Sequence, residues 1–237
     1  MRDMEFVVLG LGQFGSSLAI GLAAKGYEVR ALDLNMEAVT AVRPKISSAI
    51  QGDASESSAL RELCVDGENV RVIVAFGASY EKSFLVVARL KEMGVTEIYV
   101  RSANALHEKV MGMIGVRGCF RVEEFAATQL ADTLLCRGMT RFRRIDKTHA
   151  MADVPLPETW EGRTLMEVEL RSKYRLNLVT LRRGKAQARA VGDEVVTLPE
   201  QPVIGTPTPD MPFEKGDTLV LFGKDADLKR FAEEFER

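Results

Sequence analysis

The chain has 237 residues, 46% of them hydrophobic and 28% charged, which suffices for one large domain or two small ones with real cores. A formal net charge of -2 supplies no general basic field, so nucleic acid is not an expected partner. No apolar run reaches the roughly 18–20 residues of a membrane span, and no signal-peptide pattern is read ahead of the first strand. The cysteines Cys64, Cys119 and Cys136 form neither a C-x-x-C pair nor a disulfide framework, and are expected as reduced cytosolic thiols. Any work at a membrane is then peripheral.

Through residue 136, short apolar runs alternate with helical patterns, as repeated βα units do. Strands are predicted at 5–9, 28–33, 47–51, 70–75 and 97–101, with a shorter one at 118–120. Most are continuous Val/Ile/Leu/Ala runs, the pattern of parallel strands covered on both faces. A helix is predicted at 14–25, where Phe14, Leu18 and Leu22 share a face and Gly26 is the stop. Others are predicted at 80–93 (Phe84, Val87, Ala88 and Leu90 on one face, Gly94 as stop), 103–114 and 123–136. Right-handed crossovers make this order an α/β, Rossmann-like, doubly wound parallel sheet with its ligand crevice at the strand carboxyl ends.

The run Gly10-Leu11-Gly12-Gln13-Phe14-Gly15 follows the first strand and opens the first helix. Gly10 is expected to permit the tight turn, Gly12 to let the backbone approach a pyrophosphate, and Gly15 to pack the helix on the strand. Backbone N–H groups and the helix dipole would hold the anion. Asp33 stands 18 positions after Gly15 at the end of the second strand, placed to accept from ribose hydroxyls and to repel a 2′-phosphate. This combination predicts an adenine nucleotide. In the loop after the third strand, Asp53 either meets the adenine amino group or caps the following helix, beside Gly52 and Ala54. Phe76-Gly77-Ala78-Ser79 after the fourth strand brings small residues where the chain passes ribose and phosphates, or is ordinary turn chemistry.

The composition then shifts. Residues 137–150 carry Arg137, Arg141, Arg143 and Arg144 and read as a linker or an exposed face; every proline except Pro44 lies beyond them. Residues 151–237 read as a small α+β domain. Strands are expected at 151–156, 177–182 and 186–191, the last two joined across Arg183-Gly184-Lys185. A helix is expected at 164–174, a strand at 217–222, and a final helix at 225–235 buried through Leu228, Phe231 and Phe235. Three parts follow: a nucleotide-binding domain 1–136, a linker 137–150, and a second domain 151–237.

The chain resembles the RCK regulatory subunits of the Ktr/Trk bacterial potassium-uptake systems. The resemblance rests on 8–15 (VLGLGQFG), 32–35 (LDLN), 51–54 (QGDA), 73–78 (IVAFGA), 90–93 (LKEM), 100–104 (VRSAN), 107–115 (HEKVMGMIG) and 122–125 (VEEF). In the second domain 162–165 (GRTL), Leu170-Arg171, 176–179 (LNLV) and 215–217 (KGD) continue it. It implies a non-catalytic, cytoplasmic gating subunit. Homodimers would assemble into a ring, typically an octamer, beneath a membrane potassium-translocating subunit. ATP and ADP, or NAD(H) in some members, would bind the first domain. Gly10, Gly12, Gln13, Phe14, Gly15, Asp33, Asn35, Asp53 and Ala54 would then contact nucleotide, with Ala75, Gly77 and Arg101 lining the site. Glu123 matches a position associated with a divalent cation. Arg171 and Asn177 match positions that contact cyclic di-AMP in some relatives, or are a solvated helix residue and a strand-start residue. One departure matters: the family pattern often has arginine where this chain has Gln13, and a neutral amide supplies no charge-assisted contact to a γ-phosphate.

An NAD-dependent oxidoreductase is the alternative, and it needs an acid or base near the nicotinamide. The histidines are His107, on a helix face with a core or interface role, and His149, in the linker. No Cys/His or Ser/His/Asp grouping and no metal-ligand spacing is legible. A DNA-binding regulator would need a reading helix, which the Arg137–Arg144 cluster with its Gly138 does not supply.

Overall fold

Residues 4–63, 65, 69–77, 80–135, 138–184 and 202–235 are described by the computed structural model. The chain divides into two units, Met1–Glu124 and Phe125–Arg237. Cys64, Cys136, Arg137, Ala78, Ser79, Lys185 and the strand expected at 186–191 lie outside the described residues.

In the first unit six parallel strands, β1 (Glu5–Leu9), β2 (Glu28–Asp33), β3 (Ser48–Gln51), β4 (Val70–Val74), β5 (Ile98–Arg101) and β6 (Gly118–Phe120), lie in the order β3-β2-β1-β4-β5-β6. The chain runs outward from β1 to β3, returns to β4 and runs outward the other way. The switch point therefore falls between β1 and β4, where an open α/β sheet leaves a crevice at its carboxyl edge. The helices are α1 (Gln13–Ala23), α2 (Met36–Val42), α3 (Ser57–Glu62), α4 (Tyr80–Glu92) and α5 (Ala105–Ile114).

The alternation of a strand splits β1 between two cores. Phe6 and Val8 face a layer with Ala19 of α1 and Val39 and Val42 of α2. Val7 and Leu9 face the other layer with Leu60 of α3, Val86, Val87 and Leu90 of α4, and Met111 of α5. Covered on both sides, β1 has no polar face to show, which is why its sequence is a continuous apolar run. Helix α2 has no counterpart among the helices expected from the sequence. Asn35 starts it, its side-chain oxygen accepting from Glu37 N–H.

Helix α6 (Val122–Leu135) begins in the first unit and continues into the second. There four antiparallel strands, β7 (Thr140–Arg144), β8 (His149–Pro155), β9 (Asn177–Arg182) and β10 (Thr218–Lys224), lie in the order β7-β8-β10-β9. The linker expected at 137–150 is corrected by β7 and the start of β8. Phe142 points into the core while Arg141 pairs with Asp153, and Arg144 with Asp132 and Asp225. The arginines that suggested a linker are the outer face of a strand. The single helix expected at 164–174 is two short ones, α7 (Leu165–Val168) and α8 (Leu170–Tyr174). A capping box of Thr164 and Glu167 opens α7, and Glu169, at φ 49°, breaks the run. Helix α9 (Asp225–Phe235) brings Phe231 and Phe235 against Trp160 and Tyr174. Under β9, Arg183 grips the fully buried Asp217 with two hydrogen bonds, of 2.8 and 2.7 Å.

Candidate functional site

The glycine turn sits at the carboxyl end of β1, fixed from both sides. Gly10 N–H donates to Leu32 O at 2.8 Å, and Ala75 N–H donates to Leu9 O at 2.8 Å. Gly10 has φ +100°, and a Cβ there would stand 2.9 Å from the Phe76 ring. Gly15 is crowded differently: a Cβ would lie 1.9 Å from Gly10 O, so α1 rests directly on the turn. Gly12 is unlike both. Its backbone is extended (φ -64°, ψ -176°), and a Cβ would meet nothing within 4 Å.

Gly12 is also the N-cap of α1, and no side chain caps the helix there. The first N–H groups of a helix have no intrahelical acceptor, and the dipole makes that end partially positive. An open backbone position, uncapped N–H groups and a helix amino end therefore meet at one point, an arrangement suited to an anion. Gln13 and Phe14 form the first turn of α1, with Gln13 exposed.

Asp33 ends β2 beside this turn. Its Oδ2 accepts from Leu11 N–H at 2.5 Å and its Oδ1 from Asn35 N–H at 2.8 Å. The carboxylate therefore holds the glycine turn in place, and each oxygen, with one hydrogen bond accepted, keeps capacity for another. Asn35 is exposed and gives its side-chain oxygen to α2.

Asp53 does not cap α3, whose N-cap is Glu56. It closes the turn ahead of it by accepting from Ser55 N–H at 2.8 Å, and it pairs with Lys82 of α4 at 3.1 Å. The Ser55 N–H, then Lys82, hold its carboxyl below the usual carboxylate range against an opposing push from burial. Lys82 also lies 5.4 Å from the centre of the Phe76 ring, the ring that backs Gly10. Sequence reasoning missed Lys82; its one signal was a position in the first turn after the strand that flanks the switch point. Ser16 was missed as well, and its hydroxyl donates to Leu11 O at 2.7 Å, bracing the turn from the helix side.

Ala54 and Ala75 are buried in opposite cores, Ala75 directly beneath Gly15. Their side chains support the loops from below. Gly77 is exposed and lies against Arg101, which ends β5. The Arg101 guanidinium stands 5.7 Å from the centre of the Phe14 ring and is ion-paired with Glu123. Gly10, Gly12, Gln13, Phe14, Gly15, Asp33, Gly77 and Arg101 are thus gathered around one turn, while Asn35 and Asp53 flank it.

Among the described residues no group of three or more His, Cys, Asp or Glu side chains converges to hold a metal ion. Glu123, a single carboxylate already held by a guanidinium, is not by itself a cation site. His107 is buried, with Tyr80 and Phe84 each 5.2 Å away, edge to face. Burial pushes its imidazole down, toward the neutral form. In the second unit Arg171 is exposed on α8 and Asn177 opens β9.

Comparison with known proteins places this geometry. The TrkA-N domain matches residues 6–120, the span of the six-stranded sheet. Ktr system potassium uptake protein C of Bacillus subtilis (strain 168) is 30% identical over 227 residues, covering 96% of this chain and 95% of that one. Ktr system potassium uptake protein A of the same organism is 26% identical over 234 residues, covering 99% and 98%. Among solved structures, the GsuK RCK domain shares the fold with a TM-score of 0.50 and 17% identity; it covers all of this chain, which spans 47% of that one. With a parallel sheet, a glycine turn at its switch point and a relative matched end to end, the chain belongs to the family of the Ktr system potassium uptake proteins.

Proposed function

We propose that the chain is a nucleotide-sensing regulatory subunit that controls a membrane potassium-translocating partner through the shape of a ring of its own copies. The observation that carries the reading is the open, uncapped backbone at Gly12, with Asp33 beside it. The ligand is an adenine nucleotide whose pyrophosphate sits on the α1 amino end and whose ribose hydroxyls reach Asp33. The free lone pairs of that carboxylate suit a 2′-hydroxyl and repel a 2′-phosphate. The relatives bear the name of a potassium-uptake system, which supports the partner assignment. Among the described residues no helix is long and apolar enough to cross a membrane. In this reading the translocating path belongs to the partner, and this subunit works at its cytoplasmic side.

Copies pair through apolar surface. Leu106 and Met113 of α5 and Phe125, Leu130 and Leu134 of α6 are exposed, more than a solitary chain of this size needs to show on two helices. Dimers built on such faces close into a ring, an octamer in the family pattern. A nucleotide moves that ring by its differential affinity for two shapes. A divalent cation at Glu123 needs further ligands from a bound phosphate or a second copy. Cyclic di-AMP between two second units would meet Arg171 and Asn177 from each. The oxidoreductase alternative is not favoured, because His107 is buried against the Tyr80 and Phe84 rings and the relatives bear the name of a potassium-uptake system.

The test is calorimetric titration of the full chain with ATP, ADP, NAD⁺, NADH and cyclic di-AMP, with and without magnesium. At least one of the first four is expected to bind, at one site per chain in the first unit. Absence of binding by all four refutes the nucleotide reading. Sustained turnover of NAD(H) with a small substrate refutes the regulatory one.

A further inference from the structure

Arg101 lies beside the mouth of the crevice at an electrostatically awkward place. Its guanidinium packs over Phe14 in the first turn of α1, and a methyl group built on Gly77 would lie 3.1 Å from Nη1. The side chain is 19% exposed. A cation near a helix amino end is opposed by the dipole, and α1 has no acidic residue in its first turn to offset it. The compensating charge comes from Glu123 in the first turn of α6. Glu123 is 65% exposed, and Arg101 holds its carboxyl below the usual range. Exposed pairs of this kind are weak. Glu123 carries one negative charge; a terminal phosphate carries up to two, with more acceptor oxygens.

We propose that Glu123 occupies Arg101 in place of a nucleotide's terminal phosphate, and that the phosphate takes Arg101 over and frees the first turn of α6. The inference rests on the nucleotide reading above. A phosphate seated on the α1 amino end satisfies both the uncapped N–H groups and the guanidinium; Glu123 satisfies the guanidinium alone. The exchange is a coupling between ligand and helix, so the ligand loosens the Glu123 anchor by the same free energy with which the anchor weakens the ligand. Helix α6 is the element on which the chain passes from Met1–Glu124 into Phe125–Arg237, so this is where binding first reaches the second unit's chain. ATP and ADP end in a free phosphate. The NAD(H) pyrophosphate is closed by a ribose on each side and leaves the pair intact. Arg101 thus reads the terminal phosphate in a chain whose position 13 is glutamine.

The experiment is hydrogen exchange with mass spectrometry on the full chain in EDTA, which removes divalent cations, reading amides 126–130, whose helical acceptors lie in and after the first turn of α6. Ligand-free Glu123→Gln is expected to exchange faster there than the wild type. ATP or ADP is expected to speed the same amides in the wild type, add little in Glu123→Gln, and bind Glu123→Gln about 2- to 5-fold more tightly. Arg101→Gln is expected to lose about 10-fold or more in ATP affinity. Nucleotide binding to the wild type with unchanged or slower exchange overturns the proposal and leaves the nucleotide reading standing. Weaker ATP binding by Glu123→Gln does the same. Failure of every nucleotide to bind the wild type removes the reading and the proposal together.

Discussion

Substituting alanine at Gly15 and, separately, at Gly12 separates the two jobs of the glycine turn. At Gly15 the new Cβ would stand 1.9 Å from Gly10 O. Carbon–oxygen contacts normally begin near 3.3 Å, so α1 must move by more than an ångström against a core that does not compress. Overpacked side chains cost about 1–3 kcal/mol when they can turn aside. A methyl group pressed on a carbonyl has no rotamer to change, so the expected loss is about 3 kcal/mol or more, a fall in the first unit's melting temperature of about 10 °C. At Gly12 the methyl meets nothing within 4 Å, and alanine tolerates the extended backbone. A gain of about 0.4–1 kcal/mol from the stiffer unfolded chain offsets the weaker N-cap, leaving stability within about 1 kcal/mol of wild type. A methyl in this open position takes space the ligand needs, so ATP or ADP affinity is expected to fall about 10-fold or more. Differential scanning calorimetry reads both variants, the transition that rises with added nucleotide belonging to the first unit; titration calorimetry reads affinity. Wild-type affinity in Gly12→Ala would falsify the anion seat. A Gly15→Ala protein within 1 kcal/mol of wild type, with its fold intact, refutes the packing argument.

Asp33→Ala removes the acceptor for two backbone N–H groups as well as the ribose contact, so it is expected to lower stability by about 1–3 kcal/mol and weaken nucleotide binding; unchanged affinity would show that the ribose is held elsewhere. In the second unit, Arg183→Ala strands the buried Asp217 carboxylate at a cost of about 3–5 kcal/mol. Trp160, the single tryptophan of the chain, reports that unfolding by fluorescence, and a loss under 1 kcal/mol counts against the pair. Asp146 accepts from the Thr148 and His149 N–H groups, which hold its carboxyl down at about 2. Its stabilisation is therefore complete above the ordinary carboxylate range and lost as pH falls toward 2, and Asp146→Asn should flatten acid unfolding between about pH 4 and 2. A carboxyl resonance titrating near 4 contradicts this. His107, pushed down by burial, favours the fold above about pH 6.5 and loses that contribution as pH falls. His107→Phe should make stability less pH-dependent between 7 and 5, and an identical pH profile would show the imidazole to be solvated.

The sheet was legible because its central strand is dry on both faces: β1 falls where its apolar run predicts it, and β2 and β6 hold their predicted bounds as well. Helix α2 was not, because Asn35 was read for its likeness to a ligand contact while its side chain was starting a helix. Of the two readings of 137–150, linker or exposed face, the sequence does not choose the strand face for a related reason. Among the described residues there, Met139, Phe142 and Ala150 turn inward, too few to outweigh the arginines until Asp153, Asp132 and Asp225 are seen to receive them. In the site, Gly10, Gly12, Gly15 and Asp33 were readable because their spacing along the chain is itself the geometry. The Lys82–Asp53 and Arg101–Glu123 pairs join loops brought together by folding, and no local spacing announces them.

The unequal crowding of the three glycines bears on how such a fingerprint should be interpreted in any genome. Two of them are demanded by the scaffold: Gly10 by its backbone angle and the Phe76 ring, Gly15 by a carbonyl it nearly touches. Selection would keep both in a descendant that had stopped sensing anything. Of the three, Gly12 alone has room to mutate without harm to folding, so a change there would tell of the tenant and not of the scaffold. A lineage in which that middle glycine drifts while its neighbours persist would be a lineage of former sensors, kept for their shape.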